Sequence, residues 1–180
     1  MQNEIKEKIE NTLLAEANAL LHLGQHVTKD MCDAVGHILQ SKGRLIVTGI
    51  GKSAIVAQKI VATFNSTGTT AVFMHAADAI HGDLGMIRSD DSVLCISKSG
   101  ETPEIKVLVP LIRGFGNPLI AMVSNLESFL AKNADYVLML PLEQEADPNN
   151  LAPTTSTTLQ MAMGDAMAIA LLSMRGFSSE

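Results

Sequence analysis

From Arg44 onward, five short apolar runs, Leu45–Ile50, Ala71–Met74, Val93–Ser97, Leu119–Ser124 and Tyr136–Leu140, are separated by segments with helical spacing. The runs do not alternate apolar with polar, so each reads as a strand buried on both faces of its sheet. The segments between them are Ser53–Asn65, a short Ala76–Ile80 turn, Glu104–Phe115 and Ser128–Lys132, and Thr157–Met174 closes the pattern. This βα order predicts an α/β fold, a three-layer αβα sandwich around a five-stranded parallel sheet of flavodoxin-like or Rossmann-like type.

Ahead of the first strand, Ile5, Ile9, Leu13, Leu14, Ala17, Leu20 and Leu21 recur at steps of three and four, which predicts a helix from about Gln2 to about His22. Val27, Thr28 and Cys32 read as staple, cap and staple partner of a second helix, which carries Val35, Ile38 and Leu39 on one face and stops at Gly43. Residues 1–43 are thus N-terminal helices and 44–180 an αβα core. No linker, repeat or low-complexity tract divides them, so one domain is expected.

The charge balance narrows the partners. A net charge of −6, with 13 Lys and Arg residues spread along the chain, builds no basic patch for nucleic acid. The apolar segments are too short to span a bilayer, and no charged start leads into a signal-like apolar run, so a cytoplasmic location is expected. Cys32 and Cys95 have no CxxC spacing and fall in a predicted helix and strand, which reads as two buried thiols in a reducing compartment.

In an open parallel sheet ligands bind beyond the carboxyl ends of the strands, and here those ends are polar. After the first strand, Gly49-Ile50-Gly51-Lys52-Ser53 opens a helix with free N–H groups, a cation and a hydroxyl in one turn, a place for an anion. Neither the full dinucleotide fingerprint nor the Walker spacing is present, which disfavours nucleotides. After the third strand, Ser97-Lys98-Ser99-Gly100-Glu101-Thr102-Pro103-Glu104 places hydroxyls ahead of a helix with Pro103 at its first position. Each hydroxyl could simply cap the helix; together, with Gly100 allowing close backbone approach, they read as a phosphate cradle. Thr154-Thr155-Ser156-Thr157-Thr158 puts five more hydroxyls at the start of the last helix, beyond the loop at Pro148–Pro153. His75 and His81, with Asp83 nearby, are the only metal candidates; their irregular spacing fits structural or substrate-facing roles better than zinc, and no metal is expected.

Ser97-Lys98-Ser99-Gly100-Glu101-Thr102 resembles the phosphate loop of SIS (sugar isomerase) domains. The segments Gly49–Ser53, Ala62–Phe64 with Ser66–Thr69, His81–Met86, Leu151–Thr158, Met163–Ala166 and Arg175–Phe177 are similar to the arabinose-5-phosphate isomerase branch of that family, in order and over the whole chain. The resemblance implies reversible interconversion of D-arabinose 5-phosphate and D-ribulose 5-phosphate without a redox cofactor. It implies a phosphate cradle of Gly51, Ser53, Ser97, Lys98, Ser99, Thr102, Thr154, Thr155 and Ser156, and catalytic roles for Lys52, Glu104, Glu145 and His81. Aldose–ketose exchange moves a proton between C1 and C2 through an enediol, so it needs a base, a hydroxyl-proton shuttle and a cation near the developing oxyanion. Glu145 or Glu104 would be the base, Lys52 the cation and His81 the group that assists ring opening or proton transfer. Taken as residues alone, Glu104 is also well placed as a first-turn helix carboxylate, and Glu145 and Lys52 read as surface charges.

Two features depart from the branch. Lys98 stands where Asn or Gln is common, and the sequence stops at Ser178-Ser179-Glu180, short of the usual His-Pro-Gly-Gly segment and of paired CBS modules. Alternatives are an isomerase of hexulose or heptulose phosphates and a non-catalytic sugar-phosphate sensor. A sensor of the transcriptional kind would carry a helix-turn-helix domain, for which residues 1–43 are too short and too acidic. Pairing through the N-terminal helices into a homodimer or homotetramer is implied as well.

Overall fold

A computed structural model describes residues 1–176; Phe177 of the Arg175-Gly176-Phe177 motif and the terminal Ser178-Ser179-Glu180 lie outside the described residues. Strands β1 (Leu45–Gly49), β2 (Ala71–His75), β3 (Ser92–Ile96), β4 (Leu119–Val123) and β5 (Tyr136–Met139) form one parallel sheet in the order β2-β1-β3-β4-β5. The helices are α1 (Gln2–Gln25), α2 (Lys29–Gln40), α3 (Lys52–Ser66), α4 (Ala76–Ala79), α5 (Pro103–Phe115), α6 (Phe129–Asn133) and α7 (Thr155–Met174), with a 3-10 turn at Asp83–Met86 that the apolar spacing does not announce.

Side chains alternate across the pleat, so unbroken apolar runs supply both cores. Leu45, Val47, Leu94, Ile96, Ile120 and Met122 join Ile60, Phe64, Leu159 and Met167 of α3 and α7, over which α1 and α2 pack. Ile46, Val93, Cys95, Leu119, Ala121 and Val123 face Ile105, Leu108 and Ile112 of α5 together with α4 and α6. Central β1, β3 and β4 are buried at every position. The expectation of two-sided burial fails for β2 and β5, which keep partly exposed positions because they are the sheet edges.

The second helix departs from the expected staple. Thr28 is its cap, accepting from Met31 N–H at 3.3 Å, but Val27 is 60% exposed and Cys32 is exposed rather than buried. The inward stripe is Met31, Ala34 and Ile38, spaced by three and four, and Cys32 falls just off it. Cys95 is buried in β3, where loss of contact with water pushes its thiol up to about 12.

The amino edge of the sheet is clamped by charge. Asp91, fully buried, takes Arg44 Nε at 3.1 Å and Nη2 at 2.6 Å, and also the backbone N–H groups of Arg44 and Arg88. At the carboxyl edge the chain leaves β1 and β3 toward opposite sides, with α3 on one face and α5 on the other. The turns after these two strands therefore flank a crevice, the position at which ligands bind in such sheets.

Candidate anion cleft and its buried carboxylate

Three helices begin at that crevice. A cleft of about 190 Å³ is lined by Lys52 and Ser53 of α3, Ser97, Lys98, Ser99 and Thr102 ahead of α5, and Ser156, Thr157 and Gln160 of α7. Helix starts carry unpaired N–H groups and positive partial charge, so their convergence favours an anion. Two backbone features permit the approach. Gly51, the cap of α3, has φ +58° and ψ −129°, a region closed to residues with a Cβ. Gly100 has φ +65°, and a Cβ there would run into Ser128, against which the turn after β3 is packed.

The hydroxyls separate into two kinds. Ser97 Oγ accepts from Gly100 N–H at 3.1 Å and Ser99 Oγ from Glu101 N–H at 3.2 Å, so both shape the turn and keep an O–H to donate. Thr102 sits at the cap position of α5 but makes no side-chain cap bond, and its buried Oγ1 has no partner among the described residues. Capping therefore does not explain it. Buried Gln160 Oε1 is likewise unpartnered at the cleft. A buried polar atom without a partner costs about 1–3 kcal/mol, which a bound ligand can recover.

Glu145 lies in the segment between β5 and α7 and is 2% exposed, so it is no surface charge. Its Oε2 accepts from Thr154 N–H and Ser156 N–H, both at 3.0 Å, and so caps α7 from outside the helix. That distant cap explains why α7 starts at Thr155, two residues ahead of the start set by its apolar spacing. Oε1 lies 2.8 Å from Lys98 Nζ, an ion pair by distance whose angle is poor for a hydrogen bond, and no other donor among the described residues reaches it. Burial pushes the Glu145 carboxyl up, but Lys98, the adjacent Ser156 hydroxyl and the two N–H groups outweigh it and bring it down to about 2. The Ser156 hydroxyl stands beside the carboxylate without reaching hydrogen-bond geometry.

The sign of the resulting pH dependence is fixed. Because the folded value lies below the ordinary 4.5, the stabilisation is complete above 4.5 and is lost as pH falls through about 2. The difference corresponds to about 3 kcal/mol. Urea unfolding of the wild type and of Glu145→Gln should therefore diverge near neutral pH and converge progressively between about pH 5 and pH 2. A gap that is constant over that range would contradict the depressed carboxyl.

The structure brings together Lys52, Ser53, Ser97, Lys98, Ser99, Thr102 and Ser156. Thr154 and Thr155 stand at the start of α7, where Thr154 Oγ1 accepts from Ala146 N–H and Thr155 lines a larger groove of about 780 Å³ between α1 and residues 141–150. That groove has neither the Ser97–Thr102 turn nor the starts of α3 and α5, so the smaller cleft is the better anion site. Gly51, Glu104, Glu145, His75 and His81 do not line the cleft: Glu145 borders the larger groove and meets the cleft through Lys98 and Ser156, Glu104 is half-buried in the first turn of α5, and His81 is exposed beyond α4. His75 Nδ1 is 3.7 Å from Asp78, and no group of three or more His, Cys, Asp or Glu among the described residues could hold a metal. Sequence reading missed Gln160. The available signal was a single amide in the apolar run Leu159–Leu172, one turn beyond Ser156.

A sequence model of the SIS domain matches residues 37–170. The chain belongs to the SIS domain family. This SIS chain is 49% identical over 170 residues to the arabinose 5-phosphate isomerase KpsF of Escherichia coli strain CFT073, covering 94% of the chain and 52% of that protein. It is 49% identical over 171 residues to the arabinose 5-phosphate isomerase KdsD of Pseudomonas aeruginosa, covering 95% and 52%. It thus spans about half the length of the curated relatives it matches. Among solved structures, an E. coli CFT073 protein in complex with arabinose 5-phosphate superposes with a TM-score of 0.96 at 35% identity, over 99% of this chain and 95% of that one. Vibrio vulnificus NanR complexed with ManNAc-6P, at TM-score 0.80 and 15% identity over 93% of this chain and 63% of that one, shares the fold.

Proposed function

We propose that this SIS chain interconverts D-arabinose 5-phosphate and D-ribulose 5-phosphate. The observation that carries the reading is a cleft at three helix starts, one of whose two lysines, Lys98, also contacts a buried, pre-ionised carboxylate. The relatives KpsF and KdsD and the solved structure that holds arabinose 5-phosphate support the choice of sugar. Phosphate binds among Ser53, Ser97, Ser99 and Thr102, which fixes one end of the sugar. Glu145 Oε1 takes the C2 proton, the electron pair moves toward the C1 carbonyl, and an enediolate forms. Lys52, exposed at the first position of α3, offsets that negative charge. Return of the proton to C1 and passage of the O2 proton to O1 complete the exchange, which is redox-neutral. Glu145 is preferred to Glu104 as the base because its partners Lys98 and Ser156 line the cleft. Gln160 faces the sugar hydroxyls, and His81 is assigned to ring opening or hydroxyl proton transfer, which Glu104→Gln and His81→Asn turnover assays can rank beside Glu145.

Thr102→Val tests the cradle. It removes a hydroxyl that has no partner among the described residues, so the melting temperature should hold or rise while affinity for the phosphorylated sugar falls about tenfold. Titration calorimetry with arabinose 5-phosphate reads the loss; unchanged affinity would remove Thr102 from the phosphate site.

No helix among the described residues is long and apolar enough to cross a membrane. A cytoplasmic location accords with two free thiols, one of them exposed. Assembly into a homodimer or homotetramer is supported by Ile5, Ile9, Leu13, Leu14 and Leu21 of α1, each more than half exposed.

A further inference from the structure

We infer that Lys98 couples phosphate binding to the freeing of Glu145: its ammonium holds Glu145 Oε1 before the ester binds, and an entering phosphate dianion draws it into the cleft. The inference rests on the isomerase reading and adds a positioning residue to it.

The two partners differ in freedom. The Lys98 side chain is 40% exposed and flexible, and it lines the cleft. The Glu145 side chain is fully buried and pinned through Oε2 to two backbone N–H groups of α7. When the contact opens, the lysine moves and the carboxylate stays. A dianion beside helix starts attracts an ammonium more strongly than a single carboxylate charge does, so phosphate wins the lysine. Oε1 then has no other donor among the described residues, and burial acts on it without the ammonium in opposition. The oxygen that becomes basic is the one not committed to capping α7.

The charged or titratable groups around Glu145 are few. Glu143 and Asp147 lie on its own segment, Lys8 and His22 of α1 line the same groove, Glu16 of α1 accepts from Thr158 on α7, and Lys52 lines the cleft beyond Lys98. Among the described residues, Lys98 is the charged group in contact with it. A weak base in the free protein is thereby made stronger by a phosphate group remote from the reacting carbon, so that binding energy is used in the chemical step.

The test is carbon-13 NMR of the Glu145 carboxyl in the full chain, assigned by its loss in Glu145→Gln and titrated with and without saturating inorganic phosphate. Amide shifts at Ser99 and Thr102 report occupancy. The wild-type carboxyl should titrate about one to three units higher with phosphate bound. In Lys98→Met it should titrate high already and ignore phosphate, while Lys98→Arg should restore the wild-type response. Phosphate that shifts the Ser99 and Thr102 amides but leaves the carboxyl in place would overturn the coupling and leave the isomerase reading standing. Phosphate that shifts neither would overturn both.

Discussion

Glu145→Gln will lower turnover of D-arabinose 5-phosphate by about a thousandfold, within the range set by loss of a positioned general base, while the protein stays folded and still binds the ester. The substitution keeps one amide oxygen to accept from Thr154 and Ser156 N–H, so the cap on α7 survives. Lys98, less buried, is released to solvent or to phosphate. What disappears is the oxygen that can take a proton. Glu145→Ala differs: it strips two N–H groups of a charged acceptor, each such bond contributing about 1.5–3 kcal/mol. Its loss of activity would come with a lower melting temperature, so the amide variant is the informative one. Full turnover by Glu145→Gln would clear this residue and move the base role to Glu104.

Asp91→Ala should destabilise the fold by about 3–5 kcal/mol, the usual consequence of removing one partner from a buried ion pair. Asp91 has no exposed surface, and four donors converge on it: Arg44 Nε, Arg44 Nη2 and two backbone N–H groups. Burial pushes its carboxyl up, but those donors hold it below the ordinary value. Removing it leaves a guanidinium 20% exposed without a counter-charge at the junction of β1 with β3. The clamp lies at the amino edge of the sheet and the cleft at the carboxyl edge. Denaturant midpoints should therefore drop while the protein that remains folded keeps wild-type affinity for the phosphorylated sugar. A stability change below about 1 kcal/mol would show that the clamp is replaceable by water.

Strand positions were readable because burial on both faces leaves a one-dimensional signature: Leu119–Val123 is an unbroken apolar run in sequence and a central strand in space, and Leu45–Gly49 is another with only Thr48 polar. The polar turn after β3 was readable for the same local reason, since Ser97, Ser99, Gly100 and Thr102 are neighbours in the chain. Edges were not readable, because Ala71–His75 differs from a central strand only in what pairs beside it. The burial of Glu145 was hidden as well. Its surroundings combine a lysine from the turn after β3 with the first N–H groups of α7, contacts with no periodic trace. Cys32 shows the converse: a plausible local staple yielded to the tertiary preference for Met31, Ala34 and Ile38.

The most direct measurement is proton NMR of D-arabinose 5-phosphate incubated with the 180-residue chain in heavy water. The expected result is loss of the C2 proton signal together with appearance of ribulose 5-phosphate, both abolished in Glu145→Gln. Saturable binding of the sugar phosphate at Ser99 and Thr102, with neither exchange nor product, would contradict isomerisation and make the cleft a sugar-phosphate binding site alone.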